Sequence, residues 1–490
     1  MSREPSNDVG PEGLGPSELG RVHLLGLAGV GVSAVARLLH SAGVGISGTD
    51  GKELPVLDEF RAAGVPVRVG YSAENLSSVE GETGEQIDTI IASSVAKQGN
   101  PEYDEALRRG LRVLHRSQGL AAVMADRRSV AVAGTHGKTT TSAMTTVLLQ
   151  QGGLEPSFAV GATVSGLGVN AAAGGGDWFV AEADESDGSL LNYRPEVAIV
   201  TNVEADHLDH HGTEEAFHQV FVDFTSRILD GGELIICRDD AGTRQLLQTV
   251  ASDLVERGIT VTTYGFDEGS DLQIVEHGDG HEGSVGQRFR VSARAGAAAE
   301  VRLVVPGRHN ALNATAALAV GLRAGMSLDE GAQALVHFQG AARRFDRRGE
   351  HRGVQVFDDY AHHPTEVAAV LSAARSAVGE HARVHAIFQP HLFSRTQSFA
   401  AGFATALSAA DTVAVLEIYP AREEPIPGVS SRLITDPLFS GARAPRGGLL
   451  DSDEAVRLVA EAASSGDIIL TLGAGDVTAL GPGLVEALGG

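Results

Sequence analysis

The sequence has little cysteine, few aromatic residues and a shortage of positive charge. Its 490 residues include one Cys, one Trp and six Tyr, and the formal net charge is −25. A single cysteine cannot form an internal disulfide, so nothing favours an oxidising compartment. Cys237 follows a strand-like run, which predicts a buried and inert thiol. Nucleic acids and anionic membranes are bound by clustered Lys and Arg, and the acidic balance therefore argues against both as partners.

Long apolar runs are also missing. A membrane helix needs about 20 consecutive apolar residues, and a signal peptide needs an apolar segment after a charged start. The sequence has neither, and residues 1–20 are polar and rich in Pro and Gly, which predicts a disordered tail. These absences predict a soluble, cytoplasmic protein with no membrane partner. The length exceeds one compact core and suggests about two to four domains.

Three stretches of alternating strand and helix patterns follow the tail. The first, 21–126, alternates short apolar strands with helices, which indicates a doubly wound parallel sheet. The second, 127–340, adds a small region of antiparallel strands joined by Gly-rich turns. The third, 341–490, predicts another α/β sheet. The expected fold is α/β in three domains, with Rossmann-like sheets at both ends and a phosphate-loop ATPase-like domain between them.

The central stretch contains the glycine-rich turn "GTHGKTTT" at 134–141, between a predicted strand and a predicted helix. The turn departs from the common phosphate-loop pattern, since the first required glycine falls at Val132. Its context fits, because backbone N–H groups and a helix N-terminus can hold phosphate oxygens. Lys138 would reach the β- and γ-phosphates, and Thr139 would join a Mg²⁺ shell. We expect Lys138 to lie in the loop without packing contacts; an ordinary turn is the alternative.

Acidic and histidine residues follow two more strands of the central stretch. "AEADES" places Glu182 and Asp184 at a carboxyl strand end, where open α/β sheets bind ligands and an acid can hold Mg²⁺. "TNVEADHLDHHGT" places three histidines after another strand. Zinc is disfavoured, because cysteines and a helical histidine pair are absent. A Mg²⁺ site beside a nucleotide fits better, with His207 as a ligand, whereas His210 and His211 are predicted to be solvated.

The N-terminal stretch opens with a second glycine-rich turn, "GLAGVG" at 26–31. It differs from the dinucleotide pattern G-x-G-x-x-G, yet it leaves a helix start open to a pyrophosphate. Asp50 lies about 20 residues on, at a strand end where ribose contacts occur. Gly26, Gly29, Gly31 and Asp50 therefore form a candidate site for a second nucleotide.

Nine motifs in chain order make the sequence resemble the Mur ligases from about Arg21 to the C-terminus. They are "GTHGKTTT", "AEADESDGS", "TNVEADHLD", "PGRHNALNATAA", "ARRFD", "DDYAHHPTE", "QPHLFSRT", "YPAREEPIPGVS" and "GAGD". "DDYAHHPTE" and "YPAREEPIPG" are characteristic of the members that act on a muramate. The family's own loop, G-T-x-G-K-[ST], accounts for the missing first glycine and favours an ATP site.

The resemblance implies an ATP-dependent ligase whose three domains hold a UDP-sugar, ATP and an amino acid, in that order. The expected reaction joins L-alanine to the lactyl carboxylate of UDP-N-acetylmuramate. ATP phosphorylates the carboxylate, the amine attacks the acyl phosphate, and ADP and phosphate are released. ATP and Mg²⁺ are the expected cofactors, and peptidoglycan precursor synthesis for the cell wall is the expected process. A monomer or a homodimer is expected.

The resemblance also assigns roles residue by residue. For ATP it implies the loop residues Gly134, Thr135, His136, Gly137, Lys138, Thr139 and Thr140, then His309, Asn310 and Asn313 near adenine, Arg344 at the phosphates and Asp359 at the ribose. Mg²⁺ would be held by Thr139 and Glu182, and a second ion by His207. Tyr360, His362 and His391 would bind the amino acid, and Arg395 would face the reacting carboxylate on the UDP-sugar side. The expected catalytic residues are Lys138, Glu182, His207, Arg344, His362 and His391.

Two residues depart from the pattern of the family. Tyr71 stands where relatives often have His, and Leu392 stands where many have a basic residue; both are expected on the UDP-sugar side. Three alternatives stay open. The nearest is the ligase that attaches a tripeptide to the same UDP-sugar in wall recycling. The others are a dinucleotide-dependent oxidoreductase built on the turn at 26–31 and a phosphate-loop motor or transport ATPase.

Overall fold

The computed structural model describes most of the chain. The described residues are 13–93, 98–206, 211–279, 285–379, 381–421, 423–441 and 444–489. His207 and His210 lie outside them, as does most of the predicted tail. Within that tail, Pro16–Leu19 form a short 3-10 helix. Leu19 is buried and its carbonyl accepts a hydrogen bond from the Thr89 hydroxyl at 2.6 Å, so this part of the tail packs on the first sheet.

The first sheet is parallel throughout and has the strand order β3-β2-β1-β4-β5. Its strands are β1 (Val22–Leu25), β2 (Ile46–Asp50), β3 (Val67–Val69), β4 (Thr89–Ala92) and β5 (Arg112–His115), and its helices are α1 (Val30–Ser41), α2 (Val56–Ala62), α3 (Glu74–Thr83), α4 (Pro101–Arg109) and α5 (Arg116–Met124). The order reverses between β1 and β4, and ligands bind in the crevice at such a switch point. The glycine turn at 26–31 follows β1 and so lies there.

The central sheet has ten strands in the order β15-β14-β13-β12-β11-β10-β6-β9-β7-β8. Its strands are β6 (Arg128–Ala133), β7 (Ser157–Ala159), β8 (Ala171–Ala172), β9 (Trp178–Glu182), β10 (Val197–Val200), β11 (Glu233–Cys237), β12 (Thr260–Gly265), β13 (Leu272–Asp279), β14 (Gln287–Ala293) and β15 (Ala298–Leu303). Its helices are α6 (Lys138–Gln151), α7 (Glu214–Ser226), α8 (Ala241–Glu256), α9 (Arg308–Arg323) and α10 (Leu328–Leu335), with a 3-10 helix at Ser189–Asn192. The predicted antiparallel region is confirmed as β13, β14 and β15.

The third sheet has six strands in the order β16-β17-β21-β18-β19-β20, parallel except for the antiparallel edge strand β16. Its strands are β16 (Asp346–His351), β17 (Val354–Asp359), β18 (Val384–Phe388), β19 (Thr412–Val415), β20 (Arg446–Leu449) and β21 (Ile468–Leu472). Its helices are α11 (Pro364–Ala377), α12 (Phe393–Leu407), α13 (Arg432–Phe439), α14 (Ser452–Ala462) and α15 (Leu480–Ala487), with a 3-10 helix at Asp476–Ala479.

The sheets and their covering helices confirm the predicted α/β fold class, while the exact domain boundaries stay predictions. Apolar side chains fill both faces of each sheet, as helices on both sides of a parallel sheet require. Cys237 is buried in this core, and burial raises the pKa of its thiol to about 12, which confirms that it is inert. Among the described residues, no helix is both long and apolar enough to cross a membrane.

Candidate active site

The phosphate loop follows β6 directly and is built around two glycines with positive φ. Gly134 has φ 131° and Gly137 has φ 84°. A Cβ on Gly134 would lie 2.0 Å from Thr201 Oγ1, and a Cβ on Gly137 would lie 2.8 Å from Asn313 Oδ1. Only glycine fits both the backbone conformation and the space. The helix α6 begins at Lys138, so its N-terminus faces the turn as a phosphate site requires.

Lys138 begins helix α6 and its side chain is 14% exposed and well hydrogen-bonded, so the expectation of a lysine without packing contacts is wrong. Its Nζ donates to the carbonyl oxygens of Gly134 at 2.7 Å and Thr135 at 3.1 Å, and to Glu185 Oε1 at 2.8 Å. Burial alone would lower the pKa of Lys138, but the charges of Glu185 and Asp184 outweigh it and raise that pKa. Burial raises the pKa of Glu185 to about 7. A charged ammonium is thus held against the loop.

The two expected Mg²⁺ ligands, Thr139 and Glu182, are in contact. Thr139 Oγ1 donates to Glu182 Oε1 at 3.0 Å, and Glu182 Oε2 accepts the Gly161 N–H at 2.7 Å. Hydroxyl and carboxylate oxygens are the ligands that Mg²⁺ prefers, so the donor set fits the ion. Asp184 faces elsewhere: Oδ1 accepts the Ser186 N–H at 3.1 Å, and Oδ2 lies 3.6 Å from the Arg116 guanidinium.

A cavity of about 220 Å³ adjoins the phosphate loop. Its lining includes the predicted nucleotide residues His136, Gly137, Thr139, Thr140, His309, Asn310, Asn313, Arg344 and Asp359. Burial lowers the pKa of His309 to about 4, so its imidazole is neutral and can pack against a base. Sequence reasoning missed the apolar walls of the cavity, Leu312, Phe338 and Val370, because apolar residues in helices and loops carry no ligand-specific pattern.

Asp359 closes the C-terminal side of this cavity and also orders the backbone around it. Its carboxylate accepts the N–H groups of Phe345 and Ala361, each at 2.8 Å. Burial raises the pKa of Asp359 to about 6, although the charge of Arg344 opposes the rise. The Arg344 guanidinium lies 5.1 Å from the centre of the Tyr360 ring. A ribose contact of Asp359 stays a prediction, compatible with its position in the cavity wall.

A larger cleft of about 660 Å³ connects the glycine turn of the first sheet with the phosphate loop. Its lining comes from all three domains: Ala28 and Val30 after β1, Lys138, Thr139 and Glu182 in the central domain, and Arg344 before β16 with Tyr360 and His362 after β17. The two cavities share His136, Gly137, Thr139 and Arg344 in their walls, and together they are lined by most of the predicted site residues. His391 and Arg395 do not line either cavity.

The carboxylate of Asp50 accepts hydrogen bonds from the backbone of the glycine turn and of the residues after β2. Its Oδ2 accepts the Ala28 N–H at 2.9 Å and its Oδ1 accepts the Lys52 N–H at 3.1 Å. Gly26 has φ 74°, and a Cβ there would lie 3.8 Å from the Tyr71 hydroxyl. The unusual Tyr71 thus lies beside the turn. A ribose contact of Asp50 stays a prediction.

The other predicted turn glycines make the start of α1. Gly29 precedes the helix as its N-cap, with extended backbone. A Cβ on Gly31 would lie 3.2 Å from Arg116 Cδ, so the missing side chain lets the arginine approach. Arg116, which sequence reasoning missed, is a basic residue beside this turn and near Asp184.

The predicted amino-acid residues cluster at the carboxyl edge of the third sheet. Burial lowers the pKa of His362 to about 3 and that of His391 to about 4, so both rings are neutral. Their ring centres lie 6.3 Å apart, and His391 stacks on Tyr419 at 5.8 Å. Leu392 has φ 68°, a left-handed conformation, and donates its N–H to the Tyr419 carbonyl. Leu392 thus lies beside Tyr419 in the third domain, and a contact of Leu392 with the UDP-sugar stays a prediction.

Arg395 and Asp206 form a buried ion pair between the third and central domains. The Arg395 guanidinium lies 3.0 Å from Asp206 Oδ1, and the two side chains are 6% and 5% exposed. A role of Arg395 towards the UDP-sugar stays a prediction. His211 is half-buried and hydrogen-bonds through Nε2 to the Glu185 carbonyl at 2.9 Å, so the prediction that it is solvated is wrong.

Family models match the chain in three successive parts. The Mur ligase family catalytic domain matches residues 21–128, the Mur ligase middle domain matches 132–321, and the Mur ligase glutamate ligase domain matches 343–475. The chain belongs to the Mur ligase family.

Full-length relatives narrow the comparison. The UDP-N-acetylmuramate--L-alanine ligase of Paenarthrobacter aurescens is 54% identical over 477 residues, which cover 97% of this chain and 99% of that protein. The protein of that name from Renibacterium salmoninarum is 48% identical over 477 residues, 96% of this chain and 97% of that protein. The solved UDP-N-acetylmuramate-alanine ligase of Thermotoga maritima superposes with a TM-score of 0.75 at 26% identity, covering 96% of this chain and 99% of that one. A murein peptide ligase of Psychrobacter arcticus gives 0.65 at 25% identity, with the same coverage.

Proposed function

We propose that the protein joins L-alanine to the lactyl carboxylate of UDP-N-acetylmuramate, with hydrolysis of ATP to ADP and phosphate. The observation that carries this proposal is the cleft of about 660 Å³, in which the glycine turn, the phosphate loop and the Tyr360–His362 turn face one space. A three-substrate ligase needs three such elements around its reacting atoms. The names of relatives at 54% and 48% identity over nearly the full chain support the same reaction.

The first step transfers the γ-phosphoryl group of ATP to the lactyl carboxylate. A carboxylate oxygen bonds to the γ-phosphorus while the bond to the ADP oxygen breaks, giving an acyl phosphate. The γ-phosphate and the lactyl carboxylate are both negatively charged and repel each other. The N-terminus of α6 and the Lys138 ammonium would offset this repulsion. Bound Mg²⁺ would supply further positive charge at the phosphates, and Thr139 with Glu182 would hold it.

The second step is attack of the L-alanine amine on the acyl phosphate. The amine nitrogen bonds to the carbonyl carbon, and the tetrahedral intermediate expels phosphate. The expelled phosphate is a stronger base than His362 and can take the proton that the amine loses. Burial lowers the pKa of His362 to about 3, so its neutral ring in the cleft can orient the amine by accepting a hydrogen bond. Water would hydrolyse the acyl phosphate, so the buried contact between the third and central domains, seen at Arg395 and Asp206, also protects the intermediate.

Mg²⁺ at Thr139 and Glu182, and a second ion at His207, are part of this proposal. The contact between Thr139 and Glu182 supports the first site. His207 lies outside the described residues, so the second site rests on the family resemblance. ATP, the UDP-sugar and a free amino acid are cytoplasmic metabolites, and we place the reaction in the cytoplasm. A monomer or a homodimer stays a prediction.

The tripeptide ligase of wall recycling is the second candidate. The murein peptide ligase structure shares the fold, but its TM-score of 0.65 is lower than the 0.75 of the alanine ligase structure. Relatives at 55%, 54% and 48% identity all carry the L-alanine name. The dinucleotide-dependent oxidoreductase is not supported, since the matched family models and these relatives are ligases.

Phosphate release should require four components together: ATP, Mg²⁺, UDP-N-acetylmuramate and L-alanine. We expect each omission to reduce release to near background, because the acyl phosphate forms only on the UDP-sugar and is discharged only by an amine. The measurement is phosphate release with each component left out in turn. Replacement of L-alanine by L-Ala-γ-D-Glu-meso-diaminopimelate should give little product. ATPase activity that does not depend on the UDP-sugar would contradict the ligase, and preference for the tripeptide would favour the recycling enzyme.

A further inference from the structure

The imidazole of His136 lies between two carboxylates that belong to different domains. Its Nε2 lies 3.2 Å from Glu204 Oε2 in the loop after β10, and its Nδ1 lies 3.2 Å from Glu366 Oε1 on α11. The side chains of His136 and Glu366 are 13% and 14% exposed. A residue of the phosphate loop is therefore in direct contact with the helix that follows the predicted amino-acid-binding turn.

The charges around the ring favour the imidazolium form. Burial alone would lower the pKa of His136, but Glu366 and Glu204 outweigh burial and raise it to about 9. The hydrogen bond from His136 lowers the pKa of Glu204, and the charge of His136 helps to hold the pKa of Glu366 well below its usual range against burial. With both ring nitrogens protonated, each donates to one carboxylate, which makes both bonds charge-assisted.

Glu366 carries the contact on to the backbone of the turn at residues 362–363. While Oε1 faces His136, Oε2 accepts the N–H of His362 at 2.9 Å and the N–H of His363 at 3.2 Å. The bond from the His363 N–H is part of the capping box at the start of α11. The orientation of Glu366 therefore sets the backbone that carries His362 into the cleft.

A second contact runs beside the first. The Thr365 hydroxyl donates to Glu204 Oε1 at 2.7 Å, and the ring centres of His136 and His363 lie 4.9 Å apart. Glu204 thus uses one oxygen for the phosphate loop and the other for α11. One continuous cluster of side chains therefore joins the two domains. The central domain contributes His136 and Glu204, and the third domain contributes His363, Thr365 and Glu366.

The backbone of His136 is fixed independently of its ring. Its N–H donates to Asn202 Oδ1 at 2.8 Å, and its carbonyl accepts the Thr201 hydroxyl at 2.6 Å and Asn202 Nδ2 at 2.9 Å. These partners lie at the end of β10 in the central domain. Loss of the imidazole should therefore leave the loop backbone, which faces the phosphates, in place.

We propose that His136 is a positioning residue that ties the phosphate loop to the amino-acid side of the site, by holding Glu366 and through it the backbone of His362. The proposal rests on the ligase function above for the identity of the substrates. His136 then has two roles: its backbone contributes to the ATP site, and its side chain aligns the third domain. An ordinary buried ion pair, which would affect only stability, is the alternative.

The kinetic test compares His136→Asn with the wild-type protein and with His337→Asn, a control at an exposed histidine on the central domain. We expect ATP affinity within about threefold of wild type and a fall of about 10²-fold in kcat/KM for L-alanine, since small misplacements of reacting groups cost this much. His337→Asn should leave both values unchanged. An ATP affinity that falls as far as kcat/KM would show that the side chain serves the nucleotide, and unchanged kinetics would also overturn the proposal.

A double-mutant cycle tests whether His136 acts through Glu366. We expect Glu366→Gln alone to lower kcat/KM for L-alanine, and His136→Asn with Glu366→Gln to be no worse than the more damaging single variant. Residues in one hydrogen-bonded chain show such non-additive effects. Strictly additive effects would show that the two residues act separately and would contradict the proposal.

Hydrogen exchange tests the contact without any substrate, so its outcome does not depend on the ligase function. The amides of His362 and His363 are protected by Glu366, and we expect them to exchange faster in His136→Asn than in wild type. Peptides from the first sheet should be unchanged. If exchange at 362–363 does not change, the inference is overturned, even if turnover falls. If exchange is faster but the protein is not an alanine ligase, only the substrate assignment is refuted.

Discussion

Lys138→Met should lose turnover by about 10²–10³-fold or more while the three sheets stay folded. The ammonium lies 2.7 Å from the Gly134 carbonyl and at the start of α6, so it would meet the β- and γ-phosphates as charge develops between them. Methionine keeps most of the apolar stem but supplies no charge. The measurements are kcat in the phosphate-release assay and a far-UV melting curve. Normal turnover would show that residues 134–141 form only a turn.

The same substitution should also change how the stability of the protein depends on pH, because it removes the charge beside the Glu185 carboxyl. Burial already raises the pKa of Glu185 to about 7 with Lys138 present, and loss of the ammonium should raise it further. A raised carboxyl pKa means that the folded state binds more protons than the unfolded one, so stability falls as pH rises from about 4.5 through the folded pKa. We expect the melting temperature of Lys138→Met to fall more between pH 6 and pH 8 than that of wild type.

Glu185→Gln is the matched control for this pH effect. In the double variant Lys138→Met with Glu185→Gln, residue 185 no longer titrates, so the extra pH dependence should disappear while turnover stays lost. A double variant that keeps the pH dependence would assign it to another group. Recovery of activity in the double variant would contradict the catalytic role of Lys138.

The fold was predictable where apolar strands are followed by glycine turns. β1, β6 and β21 have this form, because each run of mostly apolar residues leads into a turn with at least two glycines. The edge strand β16 was not, because its sequence "DRRGEH" has no apolar residue, and only pairing with β17 makes it a strand. β8 has two residues, too few for any periodic pattern. Tertiary pairing decided both elements.

The site was predictable where its residues are close in sequence. Thr139, Lys138 and the glycines belong to one loop, and Glu182 ends a strand that is adjacent to β6. The contact of His136 with Glu366 and the pair of Arg395 with Asp206 join positions far apart in the chain. These contacts arise only when the third domain packs on the central one, and sequence patterns carry no record of that packing.

Glu182→Gln should raise the Mg²⁺ concentration that gives half-maximal turnover by at least about tenfold and lower kcat by about 10²-fold or more. One carboxylate oxygen of Glu182 lies 3.0 Å from the Thr139 hydroxyl, the other expected ligand, at the carboxyl edge of the central sheet. The amide has a similar shape but lacks the negative charge that attracts a hard cation. It also presents an NH₂ group to one of its two donors, Thr139 or Gly161, which disfavours its orientation.

Two readouts separate a metal role of Glu182 from a structural one. Calorimetric titration of ADP with and without Mg²⁺ should show that the metal strengthens ADP binding in wild type and much less in Glu182→Gln. Asp184→Asn is the comparison variant: Asp184 faces Ser186 and Arg116, so its metal dependence should match that of wild type even if its rate falls. A shift in Asp184→Asn and none in Glu182→Gln would place the ion on the other carboxylate. Equal metal dependence in all three proteins would leave Glu182 as a residue that only orders Thr139 and Gly161.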